Sequence, residues 1–105
     1  MKNTVLGETY DLSIVFVTRA EIRKLNRIYR SIDKATDILS FPLSKSSGEI
    51  FINLDESKIE AKKFDREFEN FLGFLLIHGL VHLKGMDHGS RMEALERKYR
   101  AEFGI

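Results

Sequence analysis

Apolar and polar residues follow two different periods along this chain, and the changes of period mark its elements. Leu12-Ser13-Ile14-Val15-Phe16-Val17 is rich in β-branched residues and predicts a buried strand. Thr18, with Glu21 three positions on, is a capping box that opens a helix; Ile22, Leu25, Ile28 and Tyr29 recur at helical spacing through about Arg30. Ile38-Leu39-Ser40-Phe41 predicts a short strand stopped by Pro42, residues 44–48 are turn-like, and residues 49–54 alternate as a further strand. Asp55 is placed to cap a helix to about Phe64 with Ile59 and Phe64 as its apolar positions. The next helix, from about Arg66 to Lys84, is apolar on every side in its second half and predicts a buried central helix stopped at Gly85. Ser90 and Glu93 form a second capping box, opening a last helix that buries Met92, Leu95, Tyr99 and Phe103. The order β-α-β-β-α-α-α implies an α+β fold: a small mixed β-sheet packed by helices, with the central helix buried.

Composition narrows the class. At 105 residues, residues 1–105 make a single domain, and 43% hydrophobic with 31% charged residues is the balance of a soluble globular protein. There is no cysteine, so disulfides and thiolate ligands are excluded and any metal must be held by nitrogen and oxygen. The N-terminus lacks the build of a signal peptide, and the longest stretch free of Asp, Glu, Lys and Arg, residues 70–83, is shorter than the roughly 20 residues that span a bilayer. These readings predict a cytoplasmic protein without a membrane partner.

The three histidines of the chain, His78, His82 and His88, fall in one run with the spacing H-x3-H-x5-H. His78 and His82, four apart, share one helix face. Helical periodicity does not bring His88 there, but Gly85 can take positive φ and turn the chain back across the helix end. Three imidazoles leave a coordination position open, as catalytic zinc sites do, and an open site lowers the pKa of bound water to about 7. Two imidazoles in an otherwise apolar run are costly to bury without a metal, which weighs against a purely structural role. An all-imidazole set suits zinc, with nickel and iron as alternatives. The run matches the metzincin pattern H-E-x-x-H-x-x-G-x-x-H except at Gly79, where those proteases carry their glutamate base; this argues against a peptidase.

His78-Gly79-x-x-His82-Leu83-x-Gly85-x-Asp87-His88 also resembles the H-G-x-L-H-L-x-G-Y-D-H signature of the YbeY family of bacterial metal-dependent endoribonucleases and ribosomal RNA maturation factors. Asn26-Arg27-Ile28-Tyr29-Arg30 is similar to the family's N-x-x-Y-R, and Thr36-Asp37-Ile38-Leu39-Ser40-Phe41-Pro42 to its T-D-V-L-S-F-P, followed by Gly48-Glu49-Ile50 for G-D-I. Ala35, Glu49, Val81 and Met86 depart mildly from the pattern, and the chain is short at its N-terminus relative to the family. The resemblance implies zinc on His78, His82 and His88, an important Arg30, and single-stranded RNA rather than DNA as substrate. It also implies work on small-subunit ribosomal RNA, with the small ribosomal subunit as partner, in maturation and quality control.

Residues 19–34 hold six basic residues against two acidic ones, and Arg23, Arg27 and Arg30 form a helical stripe that can follow a phosphate backbone or be simply solvated. Arg91, Arg97, Lys98 and Arg100 read as a solvated face, Asp87 as a carboxylate orienting a ligand histidine or as a turn cap, and Thr36, Asp37 and Ser40 as cleft-lining or turn residues. The leading reading is a metal-dependent endoribonuclease with Arg30 on the phosphate. The runner-up is a non-catalytic ribosome-associated RNA-binding protein with a structural metal, and the third an atypical metallopeptidase.

Overall fold

The structure, a computed structural model, describes residues 1–85 and 89–105. Its elements run α1 (Lys2–Leu6), β1 (Asp11–Phe16), α2 (Arg19–Arg30), β2 (Ile38–Ser44), β3 (Ser47–Ile52), α3 (Leu54–Lys63), α4 (Phe68–Leu83) and α5 (Ser90–Phe103). The three strands form one mixed sheet in the order β1-β3-β2, with β1 parallel and β2 antiparallel to β3. This is the expected α+β class, with one short helix, α1, that the pattern did not predict; its Val5 is buried.

The strand β3 is central, and its alternation decides which layer each residue joins. Gly48, Ile50 and Ile52 are buried while Ser47, Glu49 and Phe51 are half-buried. Ile38 and Ser40 of β2 pair with Ile52 and Ile50 and so share their face, the one against α4. Phe41 and Phe51 point to the opposite face, where Tyr29 of α2 packs on Phe41 with ring centroids 5.2 Å apart.

Helix α4 lies directly on the first face. A methyl group at Gly79 would sit 2.9 Å from Ser40 Oγ, 3.1 Å from Ile38 Cδ1 and 3.2 Å from Ile50 Cδ1. Gly79 is thus a point of close approach between helix and sheet, and its lack of a side chain is a packing requirement. Around it Ile77, Leu80 and Val81 are fully buried, in one cluster with Ile50, Met92 and Tyr99. At its far end Phe71 and Phe74 stack with Phe64, tying α4 to the end of α3. Among the described residues no helix is long and apolar enough to cross a membrane.

Several local expectations are corrected. The strand predicted as buried at residues 12–17 is an edge strand, because among the described residues no strand lies outside β1; Phe16 is 62% exposed, and only Leu12 and Val17 are half-buried. The strand β2 passes through Pro42 rather than stopping there. As an edge strand it tolerates the missing N–H, and the register shifts between Pro42 and Ser44. The turn contracts to Lys45-Ser46, where Ser44 Oγ and Ser47 Oγ are 2.7 Å apart.

Helix α3 is capped by Asn53, which accepts from Glu56 N at 2.8 Å, and not by Asp55. Its buried face is Ser57 and Ala61, while Ile59 and Phe64 are exposed; small residues are what allow α3 to lie close to its neighbours. Helix α5 lacks the predicted Ser90–Glu93 box, since Ser90 is its first residue and Gly89 holds the cap position. The Thr18–Glu21 box is formed in both directions, at 3.1 and 3.2 Å, but Ile28 and Tyr29 of that helix are exposed.

Replacing Gly79 with Ala in a free helix would gain about 1 kcal/mol. Here the three contacts make it an overpacking substitution, expected to cost about 1–2 kcal/mol net by denaturant unfolding. Gly79→Glu is expected not to fold. A stabilised Gly79→Ala variant would refute the close approach.

Candidate functional site

Helix α4 brings His78 and His82 to the same side, both half-buried, at its C-terminal end. The helix stops as predicted: Gly85 takes φ 92°, and its N–H donates to His82 O at 3.0 Å. His88, with Asp87, lies outside the described residues. Among the described residues no group of three or more His, Asp or Glu is arranged to hold a metal ion. His78 and His82 are thus two nitrogen-bearing side chains on one side of one helix.

His78 and His82 line a cavity of about 40 Å³ together with Arg30, Ile38 and Ser40. Each arrives by a different route. Ile38 and Ser40 are there because β2 alternates and their face meets α4. Arg30 is the last residue of α2, whose C-terminal Ser31 turns left-handed, with its N–H on Arg27 O. Below that turn Asn26, buried, donates to Lys34 O at 2.9 Å and fixes the loop leading into β2. The N-x-x-Y-R run thus carries a structural asparagine and a cavity arginine on one helix.

The rest of the basic stripe does not share the cavity. Arg23 makes a two-pronged contact to Asp33, at 2.9 and 3.2 Å, and this hydrogen bonding, joined by the charges of Arg23 and Arg27, holds the Asp33 carboxyl below its ordinary value. Arg19 pairs with Glu56 at 2.8 Å. Of the second basic group, Arg100 lies over the Phe74 ring and Lys98 over Tyr99, positions that cover apolar surface.

Thr36 and Asp37 line a different cavity, of about 390 Å³, with Asn26, Glu56, Glu60 and Lys63. Burial pushes the Asp37 carboxyl above its ordinary value; the charge of Glu60 adds to this, and hydrogen bonds from the Ile38 N–H and the Thr36 hydroxyl oppose it.

One site residue escaped the sequence reading. Glu96 of α5 is buried, and its Oε1 lies 2.5 Å from His78 Nδ1. The signal was present: Met92, Glu96 and Tyr99 share one helix face, and Glu96 is the carboxylate in that apolar stripe.

Fold and cavity together define an α+β protein in which two helix-borne imidazoles and an arginine face one small space. Comparison with known proteins makes that class specific. The family model for endoribonuclease YbeY matches residues 1–104. The endoribonuclease YbeY of Acholeplasma laidlawii is 41% identical over 95 residues, covering 87% of this chain and 69% of that protein. That of Alkaliphilus metalliredigens is 40% identical, covering 89% and 67%. A solution structure from Thermotoga maritima aligns with a TM-score of 0.65 at 29% identity, over 97% of this chain and 75% of that one. The chain belongs to the endoribonuclease YbeY family.

Because its pKa is raised in the folded state, Asp37 contributes stability that is present below the unfolded value of about 3.9 and lost as pH rises through the folded value. At neutral pH its charge is a cost. Asp37→Asn is therefore expected to raise Tm at pH 7, with the difference closing below about pH 4. A difference in Tm that is the same at both pH values would contradict the burial argument.

Proposed function

We propose that this protein is a metal-dependent, single-strand-specific endoribonuclease that works on small-subunit ribosomal RNA, in maturation and quality control, in the cytoplasm. The observation that carries the reading is the convergence of Arg30, His78 and His82 on one cavity. Family membership supports it, since the relatives are named endoribonucleases.

The donor chemistry fits a zinc ion. His78 is engaged at Nδ1 by Glu96, so Nε2 is its ligating nitrogen. His82, one turn on, is the second donor, and His88 is proposed as the third. Nickel or iron would suit the same nitrogen set. When bound, the metal supplies a Lewis acid that polarises the scissile phosphate and activates water.

The chain's own residues do the rest. Arg30 presents a planar fork that binds phosphate oxygens bidentately and offsets charge developing on phosphorus. The Ser40 hydroxyl, on the opposite wall, can donate to a phosphate oxygen or to water. Gly79 provides no general base, and the sheet leaves no room for one at that position. A glutamate-based peptidase mechanism therefore has no place on this helix.

Elemental analysis of protein purified without added metal should find about one ion per chain. His78→Ala and His82→Ala should remain folded, lose the ion and lose cleavage of single-stranded RNA by at least 100-fold. Arg30→Ala should retain the ion and lose about 10²–10³ in rate, the usual cost of removing one charge-stabilising donor. Cleavage undiminished in the histidine variants would sink the metal-dependent reading.

A further inference from the structure

We infer that Glu96 is a positioning residue: it accepts a hydrogen bond from His78 Nδ1–H and so fixes the tautomer and ring orientation that present Nε2 to a metal. The inference rests on His78 being a ligand, and adds a residue from a different helix to that site.

Three observations point to it. Glu96 Oε1 lies 2.5 Å from His78 Nδ1 across the α4–α5 contact. The Glu96 side chain is only 10% exposed, against 33% for His78. A carboxylate withdrawn from water is costly unless it is hydrogen-bonded or paired. Its position on α5 lies between Met92 and Tyr99, both buried, where an apolar side chain would pack without that cost. Packing therefore does not account for a carboxylate here, whereas orientation of the imidazole does.

The chemistry follows from the two nitrogens of the ring. A neutral imidazole carries one proton, and the partner of one nitrogen decides which. With Glu96 holding the proton at Nδ1, the lone pair resides on Nε2, and the nearby negative charge makes that nitrogen a better donor. Glu96 would thus support the metal from behind His78.

The test uses the full chain with Glu96→Leu, which fills the apolar position, and Glu96→Gln, which keeps the shape and removes the charge. Two measurements are made: zinc affinity by competition with a chromophoric chelator, and imidazole ¹⁵N shifts of the metal-free protein. The inference expects His78 protonated on Nδ1 in the parent, loss of that preference in Glu96→Leu, and a 10–100-fold weaker zinc affinity in both variants with unchanged thermal stability of the metal-free form. An unchanged His78 tautomer, or zinc affinity within twofold of the parent, would overturn it. A parent that shows the tautomer dependence yet binds no zinc would bring down the metal reading and leave the Glu96–His78 coupling standing. A variant that does not fold would place Glu96 in the core as a structural residue and overturn the inference.

Discussion

The contact on which the site depends is the seating of α4 against the sheet at Gly79. Three neighbours stand within van der Waals range of where a side chain would begin. This closeness brings the first wall of the cavity, Ile38 and Ser40, up to the helix that carries His78 and His82. A larger residue at 79 would lift the helix and separate the imidazoles from Ser40 and Arg30. The same contact answers a chemical question. The metzincin-like spacing of the histidines without a glutamate between them is a consequence of a helix that turns this position toward the sheet, where no carboxylate can stand.

How much was legible depended on whether a residue's role is local. The Thr18–Glu21 box, the stop at Gly85 and the alternation of β3 are set by neighbours in sequence, and each was read correctly. Roles that need a distant partner were missed. The β-branched run of β1 looked buried because hydrophobicity alone does not say that a strand is at an edge. Ile59 and Phe64 are large apolar residues in and at the end of α3, yet both are exposed. The face that packs is instead the small one, Ser57 and Ala61, backed by the Asn53 cap. Glu96 is by composition one charge among many in its helix, although its place in the stripe with Met92 and Tyr99 distinguishes it. Of the proposed metal set, only the spacing is legible from residue order, and the described residues contain the two members that share α4.

The edge β1 shows a small sheet at its limit. Its even-numbered residues share the face of Gly48, Ile50 and Ile52, yet protection fades outward: Ile50 is fully buried and its neighbour Ile14 is 42% exposed. The helix layer is centred on β3 and β2 and does not reach across β1. Stability therefore concentrates in the half of the molecule built by α4, β3 and α5, which is also the half that holds the cavity. The cavity thus lies at the margin of the deepest burial, with half-buried His78 and His82 next to fully buried Ile77, Leu80 and Val81.

This concentration explains why polar groups at the site can be held in place. Arg30 arrives at the end of a capped helix whose C-terminal turn is fixed by Asn26; Ser40 arrives on a strand paired along its length to β3; His78 is gripped from α5 by Glu96. Each side chain that faces the cavity is anchored by a backbone element with its own independent constraint. Orientation is thus set by the fold, so that a ligand meeting these groups does not have to order them first. The arrangement also separates the neighbouring cavity: Asp37, the residue just before β2, lines that space, while Ile38 and Ser40 of the strand line the one with the histidines. A one-residue slip of that strand would exchange them and place a carboxylate beside Arg30 and the two histidines. The register of β2 on β3 is therefore as much a part of the site as the histidines themselves.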